Sequence, residues 1–195
     1  MLHIMSDSNT IPFYKMDGAG NDFVLIDARR RNPGLSAAQI ARICHRRFGV
    51  GADGLMLLLP PEHEGSAFTM AYYNSDGGAA EMCGNGGRCI ALFYRLLNSS
   101  DAPIAQEPFC FYAADGPHEA AVLLWDNVAK VGLVRLGMKP VAAGGITRVL
   151  DGWLLNTGVP HYVQRVEDLA HFDVAGEGRR LRHHPAFGTE GANVN

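Results

Sequence analysis

The chain has 195 residues, 47% of them hydrophobic, and a formal net charge of −3, enough for one ordinary domain or two small ones with a real core. This charge excludes a global pull toward nucleic acid or an anionic membrane surface, and no stretch approaches the roughly 20 apolar residues of a membrane-spanning helix. Met1 to Ser8 has neither the basic region nor the apolar core of a secretory signal, so the expected compartment is cytoplasmic and Cys44, Cys83, Cys89 and Cys110 are expected as reduced thiols.

Residues 1–10 are polar and expected to fray. Ile11 to Met16 and Asp22 to Asp27 read as strands around a glycine-rich turn, Asp17 to Asn21. The Asn21 amide both donates and accepts, so it suits an ammonium or a carboxylate. Ser36 is an N-cap for a helix over Ala37 to Phe48, with Ile40, Ile43 and Cys44 on one face and Cys44 a core thiol. Gly49 to Gly54 is a turn lacking the lysine and hydroxyl residue of a phosphate loop. Leu55 to Leu59 is a buried strand stopped by Pro60-Pro61, and Ala67 to Asn74 is the next strand.

A polar turn then runs into Cys83, a glycine-rich bend (Gly84, Gly86, Gly87) and a periodic apolar segment, Ile90 to Leu97. Ile90, Phe93, Tyr94 and Leu97 share one helical face, which puts Cys83 at or just before a helix N-terminus. Helix-start N–H groups lack internal partners and carry partial positive charge, a setting that favours the thiolate of a cysteine. Bare glycines there let a carboxylate approach the N–H groups. The spacing of the cysteines contains no Cys-x-x-Cys pair, and no metal site is expected.

After a polar connection, Asn98 to Glu107, three strands are expected at Pro108 to Ala113, His118 to Trp125 and Ala129 to Leu136. Thr147 to Leu150 and Trp153 to Asn156 form a hairpin pattern around Asp151-Gly152. Thr157 to His161 reads as a turn, Tyr162 to Val166 as a strand and Ala175 to Arg182 as a short helix. The first half is therefore many short strands around one central helix. A similar strand-rich pattern begins again near residue 128, without a second glycine-rich cysteine motif.

Three stretches resemble the diaminopimelate epimerase family in order and spacing: Lys15-Met-Asp-Gly-Ala-Gly-Asn-Asp-Phe23, Gly49-Val-Gly-Ala-Asp-Gly54, and Asn74-Ser-Asp-Gly77 followed by Glu81-Met-Cys-Gly-Asn-Gly-Gly-Arg88. Gly158 to His161 and Gly191 to Asn195 resemble later motifs of the family, so the likeness covers nearly the whole chain. It implies an α/β (α+β) fold of two similar lobes, each with strands wrapped around a central helix: an N-terminal lobe at 1–127 carrying Cys83, and a partial C-terminal lobe at 128–195. It also implies a cofactor-independent isomerase that interconverts LL- and meso-2,6-diaminopimelate in lysine and peptidoglycan precursor biosynthesis. The partner would be a small amino-acid substrate rather than nucleic acid or membrane, and the complete protein a homodimer.

An amino-acid α-proton is a very weak acid. Without pyridoxal phosphate its carbanion needs electrostatic stabilisation, which helix N-termini can supply, and a thiolate can take the proton while a thiol opposite returns one. The resemblance implies Cys83 as one acid/base, Gly84 and Asn85 as carboxylate binders through backbone N–H groups, Asn21, Asn74 and Asn193 as binders of the substrate's polar ends, and His161 beside the site. Cys89, within the helix, is read as packing, and Glu81 as a surface carboxylate.

The sequence departs from the family at Val159, where an amide is common, and at Gly78-Ala79, in place of Ser-Glu. The family also continues past Asn193 into a Glu-Arg motif and a second Cys-Gly-Thr-Gly helix start, which these 195 residues do not contain. The chain is therefore expected to be inactive alone. The alternatives are a proline or hydroxyproline racemase or phenazine-type isomerase of the same fold, a non-catalytic fragment that binds through an exposed half-cleft, and a thiol-redox role for Cys83 and Cys89.

Overall fold

The computed structural model describes residues 2–6, 9–99, 106–189 and 191–195. The chain divides into two compact units, Met1–Gly137 and Met138–Asn195.

The first unit opens with β1 (Leu2–Ser6), β2 (Asn9–Gly18) and β3 (Asn21–Asp27), paired antiparallel in succession. Residues 2–6 and 9–10, expected to fray, are thus strand, because backbone pairing along β2 asks nothing of side-chain polarity. Ala19 and Gly20, at φ of 50° and 90°, supply the two left-handed residues of a tight hairpin. Both strands run up to them, and Asn21 opens β3 instead of lying in the turn.

Helix α1 (Ala37–Cys44) begins at Ser36, whose hydroxyl accepts from the Gln39 N–H while the Gln39 side chain accepts from the Ser36 N–H. It ends four residues before the expected Phe48. His45 turns extended, and the following loop folds back so that the N–H groups of Val50 and Gly51 donate to Ile43 O and that of Ala52 to Cys44 O. Gly49 makes this possible, since a Cβ there would lie 2.1 Å from Arg42 O.

Strand β4 (Gly54–Leu59) pairs parallel with β3, and β5 (Ser66–Asn74) antiparallel with β4. A short return strand, β6 (Ala79–Ala80), pairs with β5 and leads to α2 (Gly84–Asn98). Beyond α2, β7 (Phe109–Ala113) lies parallel to β5, and β8 (Gly116–Asp126) and β9 (Val131–Leu136) extend the nine-stranded sheet antiparallel. Parallel neighbours require a crossover; α1 provides it between β3 and β4, and α2 between β5 and β7.

The two helices pack on opposite faces of β3 and β4. Phe23 and Leu25, with Met56 and Leu58, join Ile90 and Phe93 of α2. Val24 and Ile26, with Leu55 and Leu57, join Ile40, Ile43 and Cys44 of α1. Burial on both faces explains why these strands read as unbroken apolar runs. On α2 the expected face holds: Ile90 and Phe93 are buried, and Tyr94 and Leu97 pack partly buried against the same cluster. Each fully buried large apolar side chain contributes about 1.5–3 kcal/mol. The α/β class and the strands gathered about a central helix are as expected.

Because β9 pairs with β8 and Gly137 N–H donates to Glu119 O at 2.7 Å, the first unit runs to Gly137, beyond the 127/128 division read from sequence. The second unit has β10 (Thr147–Val149), β11 (Gly152–Asn156) and β12 (Pro160–Gln164) in an antiparallel series, then α3 (Val174–Leu181), and finally β13 (Asn193–Val194) parallel to β12. Tyr162, Leu181, Phe187 and Ala192 form its core. His161, expected in a turn, is a strand residue of β12. Among the described residues no helix is long and apolar enough to cross a membrane.

Candidate functional site

Cys83 is the N-cap of α2, with extended φ and ψ of −131° and 118° and no side-chain cap bond. It is half-buried, and its sulfur is a free thiol, as are those of Cys44, Cys89 and Cys110. The first i→i−4 bond of the helix runs from Gly87 N–H to Cys83 O at 2.7 Å. The amides of Gly84, Asn85 and Gly86 precede it and have no carbonyl a turn behind them within the helix. The β5–β6 hairpin delivers the chain to this point. Asn74 closes its turn, donating its N–H to Gly78 O and accepting from Gly77 N–H, both at 2.9 Å.

The helix starts earlier than the apolar periodicity suggests, so the glycines form its first turn and not a bend before it. Two of them serve packing. A Cβ on Gly86 would lie 2.0 Å from Met56 Cε, and one on Gly87 would meet Met82 Cε at 2.5 Å and Leu136 at 2.8 Å. Both are buried, which corrects the reading that they open space for a ligand. Gly18 of β2 belongs to the same contact; its Cβ would come 2.8 Å from Asn85 O and 3.0 Å from Cys89 Sγ.

Asn21 and Asn85 are brought together from distant stretches. Asn85 Nδ2 donates to Asn21 Oδ1 at 2.6 Å, Asn21 Nδ2 donates to Asp53 Oδ2 at 3.1 Å, and Arg88 donates to Asn85 Oδ1. Asp53 Oδ1 accepts from Arg46 at 2.6 Å, and Arg46 also holds Asp22, which Lys15 meets at 2.6 Å. The Arg46 hydrogen bond, opposed by burial and assisted by Lys15, holds the Asp22 carboxyl well below the usual carboxylate range. Asp22, Arg46, Asp53 and Arg88 were missed as site residues. Asp22, Asp53 and Arg88 all lie in the three glycine-rich stretches, and that co-occurrence was the available signal.

Burial pushes the Cys89 thiol up to about 12 and the Cys44 thiol up to about 11, which suits packing roles for both. Burial, with a smaller contribution from nearby Cys83, pushes the Tyr72 phenol up to about 12. Tyr72 also fills the space over Gly54, whose Cβ would lie 2.6 Å from its ring.

In the second unit, His161 and Asn193 are register partners on parallel strands. Asn195 Nδ2 lies 3.0 Å from His161 Nδ1 and donates to Asn193 O at 3.0 Å, while Asn193 Oδ1 accepts from Arg182 at 3.2 Å. The expected site residues therefore form two groups: Asn21, Asn74, Cys83, Gly84 and Asn85 in the first unit, His161 and Asn193 in the second. Val159 is 42% exposed.

Residues 13–106 match the sequence family described as diaminopimelate epimerase. The chain is 41% identical over 184 residues to the diaminopimelate epimerase of Flavobacterium psychrophilum, covering 93% of this chain and 66% of that protein. It is 37% identical over 183 residues to that of Chlorobaculum tepidum, covering 92% and 67%. The chain thus spans about two thirds of the length of these relatives. Among solved structures, a probable proline racemase from Agrobacterium radiobacter superposes with a TM-score of 0.63 at 16% identity, over 89% of this chain and 58% of that one. A hydroxyproline epimerase from Agrobacterium vitis does so with 0.60 at 15% identity, over 92% and 58%. At these identities the likeness is one of fold.

Proposed function

The chain belongs to the diaminopimelate epimerase family of isomerases, and on that premise we propose that the complete protein interconverts LL- and meso-2,6-diaminopimelate without a cofactor, by proton transfer through two thiol groups. The observation that carries this reading is the place of Cys83: a free, half-buried thiol at the N-cap of α2, immediately before the first-turn amides of Gly84 and Asn85.

Cys83, as thiolate, takes the α-proton on one face of the substrate, and an acid on the opposite face returns a proton to the carbanion. Charge moves from the Cα–H bond onto the carboxylate as the proton leaves. The amides of Gly84 and Asn85, with the dipole of α2 behind them, stabilise that charge where it develops. Asn21 and Asn74, in the first unit, hold the substrate's polar groups. The reading places the complete protein in lysine and peptidoglycan precursor biosynthesis, in the cytoplasm, as a homodimer.

The experiment is epimerisation in D₂O. The complete protein should exchange the α-hydrogen of diaminopimelate and convert LL to meso, and Cys83→Ala should abolish both. The 195-residue chain alone should show no conversion above its own Cys83→Ala control. Turnover of proline or hydroxyproline in place of diaminopimelate by the complete protein would overturn the substrate assignment.

A further inference from the structure

Asp53 closes a motif, Gly49 to Gly54, to which the proposed chemistry assigns nothing. Its carboxylate is fully engaged: Oδ1 accepts from Arg46 at 2.6 Å, and Oδ2 accepts from the Asn21 side chain at 3.1 Å and from Asp22 N–H at 3.2 Å. Its own N–H donates to Asp22 O at 2.8 Å. The carboxylate is therefore clamped to the start of β3 by backbone and side chain together.

A side-chain amide can present either end, and the choice follows from its partners. An ionised carboxylate only accepts, so Asn21 must turn its NH₂ to Asp53. Its Oδ1 is then the end that faces Asn85, which must answer with its own NH₂, as the 2.6 Å bond shows. Asn85 Oδ1 is left facing outward along the row, and there Arg88, which can only donate, supplies the partner. The donor direction runs one way, from Arg88 through Asn85 and Asn21 to Asp53, with a cation at one end and an anion at the other. Such a row polarises each member in the same sense.

We propose that Asp53 is a positioning residue: it sets the orientation of the Asn21 and Asn85 amides, and through Asn85 the seating of the first turn of α2 that carries the carboxylate-binding amides. Asn85 is the link, since its side chain lies within the row and its backbone N–H belongs to the helix start. Without the Asp53 carboxylate the row keeps only its Arg88 end, and the Asn21 amide loses the charged acceptor that fixes it. The ligand in this inference rests on the function proposed above; the amide orientation does not.

Two measurements test it. A neutron structure of the complete protein should place Nδ2 of Asn21 on Asp53 and Nδ2 of Asn85 on Asn21, and the reverse orientation of either amide overturns the proposal. In steady-state kinetics with diaminopimelate, Asp53→Asn should raise KM on the order of tenfold, the loss of one charge-assisted bond, and change KM more than kcat. Asp53→Glu, which keeps the acceptor, should recover most of it. Equal kinetic constants for wild type and Asp53→Asn would overturn the role. If Asp53→Asn does not fold, the neutron structure and the Asp53→Glu kinetics still decide. If the wild-type protein does not turn over diaminopimelate at all, it is the function that fails, and the neutron structure judges the positioning role by itself.

Discussion

Asn85 Nδ2 donates to Asn21 Oδ1 at 2.6 Å across 64 residues of sequence, tying the first turn of α2 to the first residue of β3. Both side chains are part-buried, so neither can exchange its partner for water freely. Asn21→Leu keeps the branched shape but leaves the Asn85 donor without its partner and removes one of the bonds to Asp53. The expected loss is about 1–3 kcal/mol of unfolding free energy, read from urea denaturation of wild type and variant. A variant as stable as wild type would mean that this pair is solvated in solution and does not hold the helix start.

The four thiols should separate by reactivity. Cys44 and Cys89 are buried, and burial pushes them up to about 11 and about 12, so at pH 8 almost none of either is thiolate. Cys83 and Cys110 are only half-buried. Brief iodoacetamide treatment at pH 8 followed by peptide mass spectrometry should find label on Cys83 and Cys110 well before Cys44 and Cys89. Early label on Cys89 would contradict its packing role and revive a redox partnership with Cys83.

What was legible in the sequence follows from how local each signal is. The β2–β3 hairpin, β4 and the apolar face of α2 are written in contiguous residues, and they are found close to where periodicity and turn chemistry place them. The early end of α1 was not legible, because its last carbonyls are satisfied by amides of residues 50–52 arriving through a loop. Gly86 and Gly87 look alike as ligand-facing glycines until Met56 and Leu136 are seen against them. Asp53 was visible only as part of a turn; its partners Asn21 and Asp22 lie 32 and 31 residues away, a distance no local pattern spans.

Gly18 precedes the β2–β3 turn and Gly20 lies within it, and the two should fail differently. At Gly20, φ is +90° with nothing within 4 Å of a built Cβ, so Gly20→Ala meets only the left-handed penalty of roughly 1–2 kcal/mol. At Gly18 the Cβ would press on the Asn85 carbonyl at 2.8 Å, a backbone atom that cannot rotate away. Gly18→Ala should therefore displace the start of α2 and change the rate of Cys83 alkylation, while Gly20→Ala lowers the melting temperature and leaves that rate alone. Equal alkylation rates in the two variants would show that β2 does not set the position of the helix start.

Asp22 gives the acid limb of stability its sign. Its carboxyl is held below the ordinary value of 3.8 by the Arg46 hydrogen bond, against the opposing effect of burial and with help from Lys15. A group whose folded-state pKa is depressed contributes stability that is fully present above its unfolded pKa and is lost as pH falls through the folded one. Asp22→Asn removes both the contribution and its titration. Wild type should therefore exceed the variant in denaturation midpoint by a constant margin from neutral pH down to about pH 5, with the margin closing as pH falls below about 4. Because Lys15 and Arg46 are themselves partly exposed, added salt should shrink the margin at neutral pH. A margin that widened on acidification would show that Asp22 is destabilised by burial more than it is held by Arg46, and would reverse the assignment.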